Sequence, residues 1–315
     1  MSLAFDPSAG DLVAGRPLEE PSAVPAKLKG RPLLGVLPEL RADPLRFFTR
    51  VARDHGDAVE LSLGPDKVLM LNSPAMIRHV LQDNRLNYEK SKFYDVLRSI
   101  LGDGIFLAEG EEWLSQRKTA GRAFQGCQLR RMTEAMQEAV ADLELRWSAL
   151  AARRAVVDII PEMMRLTLDI LMRTLFSLRL EDQHEDVFHA LTVILRDAEK
   201  RIWSPLGLPR WLLIAGHETT ANALTWCWTL LSLHPESLRR LRGEARAVLN
   251  GRPAGFAELP ALKYTRMVFD ETLRLYPPLW TFSRTAVADD RIAGLNVPAG
   301  TNVMLNMFAV HRRPE

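Results

Sequence analysis

Apolar positions fall at helical spacing through the middle of the chain and in short alternating or continuous runs towards both ends. Asp43-Pro44 opens a helical pattern to about His55, with Asp as N-cap and proline in the first turn, and Gly56 ends it. Ala58 to Leu63 and Lys67 to Asn72 flank Gly64-Pro65-Asp66 and predict a β-hairpin; Ser73-Pro74 starts a helix through about Gln82. Helical periodicity runs from Glu111 to Ala152 with a break near Gly126, then from Val156 to Leu178 after a short extended lead, then from Asp182 to Arg201. A loop holding Pro205, Gly207 and Pro209 precedes an apolar helix, Leu212 to Leu233, which His234-Pro235 stops. Pro235 to Leu249 and Ala261 to Leu275 are further helices, the second closed by Pro277-Pro278. Thr281 to Ala288, Arg291 to Val297 and Thr301 to Asn306 read as short strands, with a turn at Pro298-Ala299-Gly300. The pattern predicts a mainly α fold with a minor β-sheet built from both ends of the chain. Residues 1–42, with five prolines from Pro17 to Pro38, are expected to form an extended arm, and residues 43–315 the domain proper.

Composition narrows this little. Apolar residues make up 47% and charged residues 25%, the profile of a soluble globular protein with a core of useful size. A net charge of +2 gives no reason to expect nucleic-acid binding. Leu212 to Leu233 is long enough for a membrane span, but Gly216, His217, Glu218, Thr219, Thr220 and Asn222 crowd its first half. It reads as a buried helix with a polar notch, and no membrane anchor is expected. Cys127 and Cys227 form no CxxC or zinc pattern, and Met1 to Gly10 lacks a signal-peptide layout, so a reducing cytoplasm is expected.

Four constellations carry possible chemistry. Ala215-Gly216-His217-Glu218-Thr219-Thr220 places a carboxylate beside hydroxyls in an apolar helix. A threonine there can bond the carbonyl four residues back, and Gly216 removes bulk, so the helix can bend and open a groove suited to relaying protons. The same pattern equally describes a kinked core helix. Glu271 and Arg274, three apart on one helical face and just ahead of Tyr276-Pro277-Pro278, can pair, as a surface salt bridge would. Trp113 and Arg117, four apart, could converge an indole donor and a guanidinium on one anion; a stacked surface pair is the plainer alternative. Arg284 sits alone in a mildly apolar strand, where arginine usually faces solvent.

Together, and in this order, these residues resemble the cytochrome P-450 family. Trp-x-x-x-Arg at Trp113 to Arg117, Ala-Gly-x-Glu-Thr at Ala215 to Thr219, Glu-x-x-Arg at Glu271 to Arg274 and the turn Gly294 to Thr301 match its signatures, and the resemblance spans about Pro32 to Glu315. The resemblance implies a haem-dependent monooxygenase with haem b as cofactor, hydroxylating an apolar small molecule with dioxygen. Electrons would come from a separate redox partner, a ferredoxin or flavoprotein reductase. Glu218 and Thr219 would deliver protons to dioxygen, and Ala215 and Gly216 would line the oxygen groove. Trp113, Arg117 and Arg284 would bind the haem propionates, Glu271 and Arg274 would fix the core, and Tyr88 to Ile100 and Leu279 to Phe282 would face substrate.

Two departures stand against the match. The family's haem-ligand loop, Phe-x-x-Gly-x-x-x-Cys-x-Gly, is not in this sequence, and neither cysteine replaces it by pattern: Cys127 lies upstream, and Cys227 is eight residues beyond Thr219 on the same helix, roughly 12 Å along its axis. The loop before Trp211-Leu212 also passes directly into the central helix, where relatives interpose roof helices, so an internal deletion at 211/212 is expected. There a single helix from near Pro209 would leave the groove at Gly216 unusually open. The alternatives are an inactive remnant that ligates no iron, and an unrelated all-α ligand-binding or scaffold protein.

Overall fold

The computed structural model describes residues 24–95, 103–177, 179 and 214–313. They divide into two compact units, residues 1–95 with 279–315 and residues 96–278. The expected helix over 182–201 and the junction at 211/212 lie outside the described residues.

The first unit is built on a six-stranded sheet in the order β1-β2-β3-β8-β5-β4. Its strands are β1 (Ala26–Lys27), β2 (Ala58–Leu63), β3 (Asp66–Leu71), β4 (Tyr88–Lys90), β5 (Phe282–Ala286) and β8 (Asn302–Leu305). The pair β6 (Asp290–Ile292) and β7 (Leu295–Val297) forms a separate hairpin. As expected, both ends of the chain contribute: β8 runs parallel to β3, with Leu69 opposite Val303 and Leu71 opposite Leu305, and antiparallel to β5. All four of these paired side chains are buried, in a core shared with Ile77, Val80, Ile292 and Leu295. The parallel pairing buries every residue of β8, including Asn302, whose Oδ1 accepts from Ser91 and Thr285 hydroxyls.

Helix α1 (Leu37–Ala42) ends the segment read as an extended arm. Val36 and Leu40 are buried, and Gly35, at φ +59°, turns the chain there because a side chain would strike the Ser62 carbonyl. Helix α2 (Pro44–His55) starts as expected, with Asp43 Oδ1 accepting the Arg46 N–H at 3.0 Å. Helix α3 (Pro74–Arg78) passes into a π-helical turn over His79–Asp83. The run Arg291 to Val297, expected as one strand, is instead the β6–β7 hairpin, because Ala293 and Gly294 both take positive φ. A four-residue helix, α10 (Met307–Val310), follows β8, capped by Asn306.

Asp290 ties the hairpin to the rest of the unit. Its carboxylate accepts from Tyr88 Oη at 2.7 Å, His79 Nε2 at 2.9 Å and the Arg291 N–H at 2.7 Å. Burial alone would raise its pKa, but these donors outweigh burial and hold it at about 2.

In the second unit, α4 (Gly110–Arg122) and α5 (Gly126–Ala152) are separated at the expected break. Helix α6 (Ile159–Leu171) follows, begun by Asp158, which accepts the Ile160 N–H. Met163, Leu166 and Ile170 recur on one face of α6 and pack with Ala139 and Leu143 of α5. Two ionic clamps join these helices: Arg146 and the Trp147 indole donate to Glu162, and Arg173 donates to both Asp169 and Asp142. Helix α7 (Ile214–Leu233) packs Ala221 into the same cluster. Helices α8 (Pro235–Leu249) and α9 (Lys263–Leu275) complete the unit, Glu244 of α8 accepting the Tyr264 and Thr265 N–H groups at the start of α9.

A carboxyl with a depressed folded pKa stabilises the fold above its unfolded value near 4, and that stability is lost as pH falls through the folded value. Tyr88→Phe should therefore cost about 1–2 kcal/mol in denaturant titration at pH 7, with the gap to wild type closing as pH falls from about 4 towards 2. A cost that does not change with pH would show that the carboxylate is not what the phenol stabilises.

Candidate active site

The second half of α7 fixes the first. Three consecutive residues each grip a different neighbour. The Trp226 ring lies face to face with Tyr276, just beyond α9, at 3.8 Å and 5°. The Cys227 thiol lies beside Thr272 of α9, and burial pushes its pKa up. The Trp228 ring meets Trp147 of α5 edge-on at 6.1 Å. Ala221 and Ala223 are buried, whereas Glu218 is half-buried and Thr219 and Thr220 are exposed. Ala215 and Gly216 lie in the first turn of α7. The helix thus holds an acid and two alcohols within a few residues, on a backbone clamped one to three turns further along.

Trp113 and Arg117 lie one helical turn apart on α4, and both are exposed. Arg117 makes no ion pair among the described residues, and α4 as a whole buries no side chain. Two donor-bearing side chains of this kind suit an anionic ligand.

Glu271 and Arg274 do pair, through Nε to Oε2 at 2.7 Å and Nη2 to Oε1 at 2.6 Å. The hydrogen bonds from Arg274, opposed by burial, hold the Glu271 carboxyl below the usual range. The pair is not in a core, however: the two side chains are 53% and 39% exposed. Helix α9 turns Thr272 inward, almost fully buried, and residues one before and two after it share the outward side.

Arg284 belongs to the other unit, on β5, and is half-buried. Its Nη1 donates to the Ser283 carbonyl at 3.1 Å, and its guanidinium lies 5.3 Å from the Phe282 ring centre. It does not simply point to solvent, as a lone strand arginine usually would.

Within the second unit the structure groups Glu218 with Thr219 on α7, and Trp113 with Arg117 on α4. The anchoring aromatics Trp226, Trp228, Trp147 and Tyr276 went unrecognised in the sequence, where only the spacing of tryptophans about Cys227 could have signalled them.

The cytochrome P450 family model matches residues 25–212 and 210–315. This chain belongs to the cytochrome P450 family. Among curated P450s it is 28% identical to the cyclooctat-9-en-7-ol 5-monooxygenase of Streptomyces melanosporofaciens, over 90% of this chain and 75% of that protein. It is 27% identical to the cyclooctatin synthase of the same organism and to the pentalenene oxygenase of Streptomyces avermitilis, with nearly the same coverage. The first of these alignments spans 349 positions, more than the 315 residues of the chain, so it contains gaps on this chain's side. P450s are monooxygenases that use haem iron, and the family match brings both properties here. No helix among the described residues is long and apolar enough to cross a membrane.

The residues present fit the carboxylates of haem better than its iron. Guanidinium and indole donors suit the two carboxylates of the cofactor. Neither cysteine lies in the family's ligand-loop pattern, and burial favours the protonated thiol at Cys227, while Cys127 is exposed.

Because the Glu271–Arg274 pair is exposed, Glu271→Gln should shift the denaturation free energy by less than about 1 kcal/mol. Trp226→Ala, which removes a stacked and half-buried ring, should cost about 3 kcal/mol. The reverse ranking in the same titration would place the ion pair, not the ring stack, at the centre of this unit.

Proposed function

We propose that this protein hydroxylates an apolar small molecule, of the hydrocarbon-ring kind named in its relatives, using dioxygen and electrons from a separate redox protein. The observation that carries the reading is the acid–alcohol pair Glu218–Thr219, set in an apolar helix within a chain that matches the P450 family over nearly its whole length. Bound haem would supply the oxygen activation itself. The chain's own groups would do the rest: Thr219 holds a proton donor at its hydroxyl, and Glu218 resupplies it from solvent, its half-exposed carboxyl being able to exchange with water. Ala215 and Gly216, in the first turn of α7, would line the oxygen groove. Trp113 and Arg117 on α4, and Arg284 on β5, are the donors that would suit the cofactor's carboxylates.

A second reading, of a chain that keeps the family's frame without turnover, is supported by the poor fit of both cysteines and by the gapped alignment together with the family match that divides at residues 210–212. An internal deletion near 211/212 would remove part of the cover that keeps a proton relay from leaking to water.

The two readings separate in one experiment. The chain is loaded with haemin, supplied with a ferredoxin and its reductase, and incubated with pentalenene under isotopically labelled dioxygen. The first reading expects a product with one labelled oxygen, reduced at least about tenfold by Thr219→Ala while electron consumption continues. Haemin uptake with no labelled product for this or related ring hydrocarbons would favour the second.

A further inference from the structure

Strand β4 ends at Lys90, opposite Arg284 of β5. The preceding residue of β5, Ser283, therefore has no strand partner on that edge, although β8 continues on its other side, placing Met304 opposite it. The N–H and C=O of one residue in an antiparallel ladder point to the same side, and at Ser283 both point away from β8. The N–H donates to the Tyr94 phenol oxygen at 2.9 Å, and the C=O accepts from Arg284 Nη1 at 3.1 Å. The edge that β4 leaves open is closed by a phenol from the turn at Lys92–Tyr94 and by the guanidinium of Arg284 itself. Burial pushes the Tyr94 pKa up, while the Ser283 N–H and the charge of Arg284 pull against it, so the phenol and the guanidinium lie within electrostatic reach.

We propose that Tyr94 is a positioning residue that fixes the Arg284 guanidinium for a carboxylate-bearing ligand. Arg284 commits one of its five N–H donors to the Ser283 carbonyl, and that bond fixes the guanidinium only if the Ser283 backbone stays in place. Tyr94 holds that backbone through the N–H on the other side of the same Cα. Ser283 is only 6% exposed, so loss of the phenol oxygen strands a buried N–H and lets the edge relax towards water. The remaining donors of the fork then lose the fixed orientation that makes two-point recognition of a carboxylate strong. This inference rests on the proposal that Arg284 anchors a haem carboxylate.

The test titrates the 315-residue chain with haemin and with haemin dimethyl ester, whose carboxylates are blocked. Wild type, Tyr94→Phe, Arg284→Gln and the double variant are compared, and amide exchange at Ser283 is followed without cofactor. Tyr94→Phe should weaken haemin binding about fivefold, leave the ester unchanged, add nothing in the Arg284→Gln background, and speed exchange at Ser283. Should Tyr94→Phe fail to fold, 3-fluorotyrosine at position 94 keeps the shape, weakens the acceptor, and should give a smaller loss in the same direction. If Arg284→Gln weakens haemin but the Tyr94 variants do not, or weaken the ester equally, the positioning role is overturned and the anchor stands. If Arg284→Gln changes nothing, or no haemin binds, the anchor falls and the inference with it.

Discussion

The second unit depends on how α7 is held along its length. Its first turns carry an acid and two alcohols that are half-buried or exposed. Its grip comes from the other end, where Trp226, Cys227 and Trp228 meet Tyr276, Thr272 and Trp147 in succession. Three adjacent residues on a helix point about 100° apart, so they brace α7 against α9 on one side and α5 on another. That leaves Glu218, Thr219 and Thr220 at least partly exposed on a backbone whose direction is set by aromatic contacts two turns away.

The first unit solves a different problem, since its sheet joins strands about two hundred residues apart in sequence. Strand β8 sits between β3 and β5 and is buried throughout, and side chains rather than further strands satisfy the polar groups around it. Asn302 takes the hydroxyls of Ser91 and Thr285, Asn306 donates to Asn72, and Asp290 gathers Tyr88 and His79. The closing of the β5 edge by Tyr94 belongs to the same set. Arg284 is oriented by the place where a neighbouring strand stops.

Most helices were legible because proline and capping residues mark their starts: α2 and α8 run as Asp43-Pro44 and His234-Pro235 imply. The β6–β7 hairpin was not legible, because Ala293-Gly294 lacks the Asn-Gly or Asp-Gly pair that usually announces a two-residue turn with positive φ. Helix α1 was hidden by the prolines around it, which read as an extended arm although Pro38 occupies a first turn where proline is tolerated. The pairing of Glu271 with Arg274 followed from spacing, and its exposure agrees with the plain surface salt bridge that the pattern suggests and not with the core position that the resemblance implies. Trp113, Arg117, Glu218 and Thr219 were named by resemblance. The residues that anchor α7 were missed because stacking between Trp226 and Tyr276 joins positions fifty apart.

Hydroxylation of the kind proposed needs a thiolate on the iron, which neither Cys127 nor Cys227 is suited to supply, although the chain carries donors for the cofactor's carboxylates and a proton-relaying pair. Thiolate ligation is what would direct bound haem towards oxygen cleavage rather than reversible binding, so the residue that holds the iron decides what the chain can do. The ferrous carbonyl spectrum reads that ligand directly. Haemin added to the 315-residue chain, reduced and exposed to carbon monoxide, should give a Soret band without the large red shift of thiolate-bound haem, unchanged by Cys127→Ser or Cys227→Ser. A fully red-shifted band that disappears with either substitution would contradict the account and assign that cysteine to the iron.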